Sequence, residues 1–294
     1  MERARRLLRP LRPALLAILV AYAAVVIAGA IVLWTNADLE AYWQAALRLR
    51  EGDALYRAWS GPLDSETYRY APWFAAAWVP LTYLPHATVT VAWDGVLLAA
   101  TAFCAWRAVQ RSAPLALLLV PPLFVATSLG NVQALLIAGL LWQSKPWMVG
   151  LASSLKITPA FLAAGWPRWR IGLVVVVAVA LWLPALAFGV GQYPTGAGTM
   201  IDLPLWLHLA LGGTAVLLAW RMPRYRAWFA ALAVVLITPR FNFYDASYLL
   251  TAFAADFDQA RAPSASRPSL AWLRSGARSA ERRAKRYASR TPAA

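Results

Sequence analysis

The chain has 294 residues, of which 61% are hydrophobic and 14% are charged. An average soluble domain is about 45–50% apolar and about 25% charged, so this composition excludes an ordinary soluble globule. Long runs of Leu, Ala, Val and Trp lack the alternation of a β-barrel strand, and helices satisfy their backbone groups within lipid. We therefore predict an all-α fold, a polytopic bundle of transmembrane helices.

The net charge of +15 is distributed as in a membrane protein. Basic residues cluster at both chain ends and in short segments between apolar runs, as in 168–170 and 221–226. Lys and Arg in short loops mark the cytoplasmic face of a membrane. The pattern predicts a multi-pass cell-membrane protein with both termini in the cytoplasm, membrane lipids as partners and no nucleic-acid partner.

Hydropathy predicts about ten membrane helices. They cover about 13–34, 71–84, 88–106, 114–128, 132–142, 147–166, 171–190, 205–220, 227–237 and 243–257. The runs 114–128 and 132–142 are shorter than the roughly 20 residues of an upright span. They could therefore form a re-entrant hairpin or lean on neighbouring helices. This count places Arg107 and Arg111 on the outer face, against the charge rule. We predict one membrane domain over 1–260 and a basic cytoplasmic tail over 261–294, disordered or interfacial.

Acidic residues concentrate in the predicted outer loop, residues 35–70. They are Asp38, Glu40, Glu51, Asp53, Asp64 and Glu66. Between 71 and 237 only Asp94 and Asp202 are acidic. The predicted topology places Asp94 near the inner end of its helix, where we expect a structural role.

The outer loop begins with an amphipathic helix that we expect to lie on the membrane surface. Asn36 or Asp38 can cap its N-terminus, and Gly52 ends it. The alternative role for Asp38 is that of a general base acting on a lipid-borne substrate. Glu40 points to another face of the helix, where we expect it to be solvated. The apolar face consists of Leu39, Tyr42, Trp43, Ala46 and Leu47.

Short motifs follow one another in a characteristic order along the chain. They are Asp38 with Tyr42-Trp43, Gly52 with Leu55-Tyr56, Tyr68-Arg69-Tyr70-Ala71-Pro72, Gly130-Asn131-Val132-Gln133, Lys156-Ile157-Thr158-Pro159 and the segment from Thr238 to Asp245. Their order and spacing resemble glycosyltransferase family 87, which comprises polyprenol-phosphate-mannose-dependent mannosyltransferases of the GT-C superfold. Because family members commonly carry more helices after the last motif, the resemblance implies a chain shortened at its C-terminus.

The resemblance implies an integral-membrane hexosyltransferase. It would move a hexose, mannose in the family, from a polyprenyl-phosphate donor to a hydroxyl of a glycolipid or glycan acceptor on the outer face. Asp38 is then the catalytic general base. Phosphate is already a good leaving group, so the reaction needs a base and cations rather than a general acid. No cofactor is implied beyond the lipid-linked donor.

Three cations are candidates for binding the donor phosphate: Lys156, Arg240 and Arg69. An ammonium within an apolar helix is costly and indicates function, although Lys156 could also snorkel. Arg240 follows Thr238-Pro239 at the outer end of a helix. Arg69 lies between two tyrosines, where it could bind phosphate or sugar or anchor the chain at the interface.

Four further residues are candidates for contacts with the sugar or the acceptor: Tyr42, Asn131, Asn242 and Asp245. Asn242 and Asp245 could bind sugar hydroxyls or pair with Arg240. His86 and His208 are isolated in sequence, and no spacing of His, Asp and Glu predicts a metal site.

Two other functions fit a bundle of many helices. One is a lipid or glycolipid transporter or flippase of the cell envelope, which would favour matched halves with broken helices. The other is a non-catalytic lipid-binding scaffold, which the presence of Asp38 disfavours.

Overall fold

The computed structural model describes residues 12–57, 67–142, 145–188, 204–238 and 242–254. Within these ranges every regular element is helical, which confirms the predicted all-α class. The chain divides into two units at residues 257 and 258, and the predicted tail lies outside the described residues. The α-helices are α1 (Arg12–Val32), α2 (Ala37–Glu51), α3 (Pro72–Trp78), α4 (His86–Arg111), α5 (Ala113–Ser128), α6 (Gln133–Trp142), α7 (Pro146–Leu155), α8 (Arg168–Trp182), α9 (Ala185–Phe188), α10 (Leu205–Arg221) and α11 (Arg226–Ile237).

Four 3₁₀-helices complete the described elements. Three of them connect α-helices, and the fourth, called here the last 3₁₀-helix, follows α11. They cover Val79–Tyr83, Thr158–Ala163, Pro223–Tyr225 and Phe243–Phe253.

Two described helices are long and apolar enough to cross a membrane, Pro13–Val32 of α1 and the whole of α4. A third span arises if α10 and the chain from Pro223 to Ile237, which bend by 117° at their junction, count as one. The described residues therefore hold two or three candidate spans instead of ten. Helices α6 and α7 have ten residues each, or about 15 Å, against a hydrocarbon core of about 30 Å.

The predicted crossing over 71–84 is instead a short segment that stays beside α2. It consists of α3 and one 3₁₀-turn, and both pack on α2. Arg50 on α2 donates a hydrogen bond to the Thr82 carbonyl (3.1 Å). At the start of α4, Nε2 of His86 lies 3.2 Å from Oε2 of Glu40 on α2. Directly before the segment, the Tyr70 ring lies 5.1 Å from the ring of Tyr42 on α2, so both ends of the segment lie beside α2.

Helix α4 carries the chain away from α2, and α5 brings it back. The 26 residues of α4 extend about 40 Å, so Arg107 and Arg111 lie at the end remote from α2. At the other end of α5, the Ser128 carbonyl accepts hydrogen bonds from the N–H groups of Thr35 and Asn36 (both 3.2 Å). The carbonyl end of α5 therefore meets the start of α2.

The apolar face of α2 packs on protein, which corrects the expectation that it rests on lipid. Tyr42 is fully buried. Its ring makes edge contacts with Tyr70 and Phe74, at centroid distances of 5.1 and 5.0 Å, and with Trp93 on α4 at 6.2 Å. Aromatic pairs in such edge-to-face geometry add to the gain from area burial. This cluster joins α2 to α3 and α4.

Gly130 allows α2 to approach the turn between α5 and α6. Its φ of +73° lies in the left-handed region, and a Cβ added there would lie 2.9 Å from the Leu39 Cβ and 3.0 Å from the Leu39 nitrogen. Trp93 donates its indole N–H to the Gly130 carbonyl (2.8 Å). Glycine meets both the backbone and the spatial requirement.

We expect Gly130→Ala to destabilise the protein by about 2–5 kcal/mol. About 1–2 kcal/mol comes from the left-handed conformation and about 1–3 kcal/mol from overpacking against Leu39. Thermal unfolding of the purified protein in detergent measures the effect. Gly172→Ala is the matched control, because an added Cβ in α8 meets nothing within 4 Å; a loss of stability equal to that of the control would contradict the prediction.

Candidate active site

Asp38 lies in the first turn of α2, and its side chain turns toward another part of the chain. Its Oδ2 accepts a hydrogen bond from Nδ2 of Asn131 (2.9 Å), and its backbone N–H donates to the Leu129 carbonyl (2.8 Å). The turn between α5 and α6 thus holds both the carboxylate and the backbone of Asp38. This position favours the functional hypothesis for Asp38 over helix capping.

Asn36 precedes α2 in the left-handed conformation (φ 51°) and makes no capping bond with its side chain, so the capping hypothesis is wrong for it. Its Nδ2 donates instead to Oδ2 of Asp94 (3.2 Å). Asp94 therefore lies beside the start of α2, near Asp38, so the expectation that these two acids lie at opposite faces of the membrane is wrong. The error follows from counting 71–84 as a crossing.

Asn131 and Gln133 connect Asp38 to the rest of the site. Asn131 is 1% exposed and also donates to the Tyr70 hydroxyl (3.3 Å). Its Oδ1 accepts the backbone N–H of Gln133 (2.9 Å). The Gln133 side chain donates to the Tyr244 carbonyl (2.8 Å) and accepts from Nζ of Lys156 (2.7 Å).

Lys156 lies at a break between helices, in extended backbone directly after α7 (φ −134°, ψ 124°). The expectation of an ammonium within a continuous helix is therefore wrong. Its Nζ lies 3.6 Å from Oδ1 of Asp245 and 5.0 Å from the centroid of the Tyr244 ring. With the bond to Gln133, these contacts partly compensate a charge in apolar surroundings.

Asn242 and Asp245 form a capping box at the start of the last 3₁₀-helix. The backbone N–H of Asn242 donates to Oδ2 of Asp245 (2.8 Å), while the other carboxylate oxygen faces Lys156. Asp245 is 3% exposed. Arg240, its predicted partner, lies outside the described residues.

The electrostatics of the site depend on its burial. Burial raises the pKa of Asp38, and the Asn131 hydrogen bond and the charges of Lys156 and Arg69 lower it in part. Arg69 is therefore close enough to act on this carboxylate. Burial also raises the pKa of Tyr42 and of Tyr70 well above the ordinary value for a phenol, so both hydroxyls keep their protons at neutral pH.

Other candidates have partners of their own. Glu40 accepts a hydrogen bond from Gln44 (2.7 Å) and faces His86, which corrects the expectation of a merely solvated side chain. The Tyr42 hydroxyl accepts the N–H of Val132 (3.2 Å). His208 Nδ1 lies 2.9 Å from the Leu236 carbonyl.

Three site residues escaped sequence reasoning as individual candidates: Gln133, Tyr70 and Tyr244. Each lies within a motif already singled out. The signal available for Gln133 was an amide at the start of an apolar run, which must find partners when it is buried. Nothing in the sequence indicated that its partners would be Lys156 and the Tyr244 carbonyl.

Comparison with protein-family models, curated proteins and solved structures finds no match to this chain. The resemblance to glycosyltransferase family 87 therefore stays a prediction. Across the described ranges, no group of three or more His, Cys, Asp or Glu side chains could hold a metal ion.

We expect Asp38→Asn to stabilise the protein at pH 7. Because the pKa of Asp38 is raised in the fold, the folded state binds this proton more tightly, and ionisation at higher pH costs stability. The gain should shrink as the pH falls through the raised pKa toward the ordinary value of 3.8. Thermal unfolding from pH 4 to 8 measures it.

Asp53→Asn serves as the control for this titration, because Asp53 is exposed just after α2. Its substitution should change stability by less than about 0.5 kcal/mol. Two results would contradict the prediction that the ionised, buried Asp38 carboxylate lowers stability. One is an equal pH dependence of stability in the two variants, and the other is a loss of stability in Asp38→Asn at pH 7.

Proposed function

We propose that the protein is a membrane glycosyltransferase that moves a hexose from a polyprenyl-phosphate donor to an acceptor hydroxyl, with Asp38 as the general base. The observation that carries the proposal is the continuous hydrogen-bonded path from Asp38 through Asn131 and Gln133 to Lys156. It connects a buried carboxylate to a cation in a bundle whose core is mainly apolar. Buried charged groups of this kind are costly and mark functional sites.

The chemistry needs a proton acceptor and a cation. The acceptor oxygen attacks the anomeric carbon while the Asp38 carboxylate takes its proton. The bond from the anomeric carbon to the phosphate oxygen breaks, and its electron pair leaves with the polyprenyl phosphate. Lys156 and Arg69 stabilise the charge that develops on the phosphate. The raised pKa of Asp38 brings the base closer to the operating pH, which favours general-base catalysis.

The sugar and acceptor contacts in this proposal come from Asn131 and from the tyrosines of the site. Tyr42 has a packing role, since its ring lies in the aromatic cluster and its hydroxyl holds Val132. Mannose as the hexose and a cell-envelope glycolipid or glycan as the acceptor rest on the family resemblance alone.

The proposed orientation places α2 on the outer face of the cell membrane. Helix α4 then runs inward and carries Arg107 and Arg111 to the cytoplasmic side, as the charge rule favours. The hydropathy count, with a crossing at 71–84, places them outside. If the segment of α3 and its 3₁₀-turn does not cross the membrane, the positions of Arg107 and Arg111 agree with the charge rule.

Asp38→Asn tests the function directly. We expect transfer of hexose to fall by about 10²- to 10⁴-fold, the usual loss for a missing general base, while donor binding persists. The assay incubates purified protein with polyprenyl-phosphate-mannose and cell-envelope acceptor lipids and detects the added hexose by mass spectrometry. Asp53→Asn should retain activity; more than half of wild-type turnover in Asp38→Asn would remove Asp38 from catalysis.

Cysteine labelling in a Cys104→Ser background tests the orientation. Asp53→Cys, after α2, should react with a membrane-impermeant maleimide in intact cells. Gln110→Cys, at the far end of α4, should react only after the membrane is permeabilised. Labelling of Gln110→Cys in intact cells would support the crossing at 71–84 and contradict the proposed orientation.

A further inference from the structure

Tyr248 on the last 3₁₀-helix is a buried tyrosine whose hydroxyl has no hydrogen-bond partner in the described part of the chain. The residue is 1% exposed. Other buried tyrosine hydroxyls are bonded: that of Tyr56 donates to the Tyr70 carbonyl (2.9 Å) and that of Tyr68 to the Ala71 carbonyl (2.7 Å). An unpaired buried hydroxyl costs stability, and such groups are rare, so this one calls for a functional reason.

The position of Tyr248 connects it to the site. Residues three apart eclipse one another on a 3₁₀-helix, so Tyr248 and Asp245 lie on one edge of it. Tyr248 interacts electrostatically with Asp245 and with Tyr70. Asp245 faces Lys156, and Tyr70 is bonded to Asn131. Tyr248 therefore lies one 3₁₀ turn after the carboxylate that faces the cation, and it acts electrostatically on the tyrosine that is bonded to Asn131.

A phenol hydroxyl in this place suits an anionic oxygen ligand. Asp245 offsets part of the charge of Lys156, so a phosphate at this cation needs further donors. A neutral hydroxyl supplies one without a second buried charge, and hydrogen bonds to ionised acceptors are about twice as strong as neutral ones. An incoming phosphate oxygen would also accept a hydrogen bond from the hydroxyl. Binding would thereby remove the destabilisation that the unpaired hydroxyl causes in the unliganded protein.

We propose that the Tyr248 hydroxyl donates a hydrogen bond to the phosphate of a polyprenyl-phosphate ligand, beside Lys156. The phosphate is common to a lipid-linked and a free ligand, and the proposal commits to the lipid-linked form. This choice of ligand rests on the proposed function.

The test compares two phenylalanine substitutions in the purified protein. Tyr248→Phe removes an unpaired hydroxyl, so the unliganded protein should be at least as stable to heat as the wild type. Tyr68→Phe, the matched control, removes a bonded hydroxyl and should lower the melting temperature. Affinity is measured for polyprenyl monophosphate, for the polyprenol without phosphate and for inorganic phosphate.

Tyr248→Phe should bind polyprenyl monophosphate about 10- to 100-fold more weakly, as expected for the loss of one hydrogen bond to a charged group. Its affinity for the polyprenol should not change, and inorganic phosphate should bind far more weakly than the lipid phosphate to every variant. Tyr68→Phe should keep wild-type affinity. Lys156→Ala should also lose affinity for the lipid phosphate, whereas Lys145→Ala, an exposed lysine before α7, should not.

Several results would overturn the proposal. They are unchanged affinity of Tyr248→Phe for polyprenyl monophosphate, a loss of stability in Tyr248→Phe as large as in Tyr68→Phe, and a loss of affinity confined to inorganic phosphate. Absence of lipid-phosphate binding in the wild type would also refute it. Hexose transfer is assayed separately: the expected binding pattern without transfer would support Tyr248 as a phosphate ligand and refute the glycosyltransferase.

Discussion

The attachment of α2 to the carbonyl end of α5 fixes the position of Asp38, and the geometry of the site depends on it. Backbone N–H groups at the start of α2 donate to the carbonyls of Ser128 and Leu129. These groups would otherwise be unpaired, since a helix leaves its first N–H groups and its last carbonyls without partners. Gly130 lets the two elements approach, and Asn131 follows directly to bind the Asp38 carboxylate.

From this attachment a polar network extends through the apolar interior to Lys156. Its members come from distant parts of the sequence, and Gln133 joins them because its amide has both donors and an acceptor. Both ends of the Gln133 amide are used: its oxygen accepts from Lys156, and its nitrogen donates to the last 3₁₀-helix. In surroundings of low polarity such a network is stable only when its groups are paired. Tyr248, on the same 3₁₀-helix as Asp245, has a buried and unpaired hydroxyl, which a ligand phosphate would pair under the proposal above.

Sequence reasoning identified helical class and several components of the site, and failed on the number of crossings. Asp38, Asn131, Lys156 and Asp245 were candidates from their motifs, and the structure brings them together. The segment 71–84 was assigned a crossing because hydropathy does not distinguish apolar residues that face lipid from those that are buried against protein. Phe74 and its neighbours are apolar because they pack around Tyr42, and the segment has too few residues to reach the other side.

The sequence by itself determined what depends on local composition: an all-helical chain, apolar helices able to span a membrane and the scarcity of charge within the bundle. The break at Lys156 came only from the structure. Only the tertiary structure decided which polar groups pair. Asp94 binds Asn36, Asp245 faces Lys156, and Gln133 joins Lys156 to the last 3₁₀-helix. These contacts join residues up to 111 positions apart. Which groups pair depends on which are buried together and on the distances between them in the fold, and the spacing of residues along the chain encodes neither.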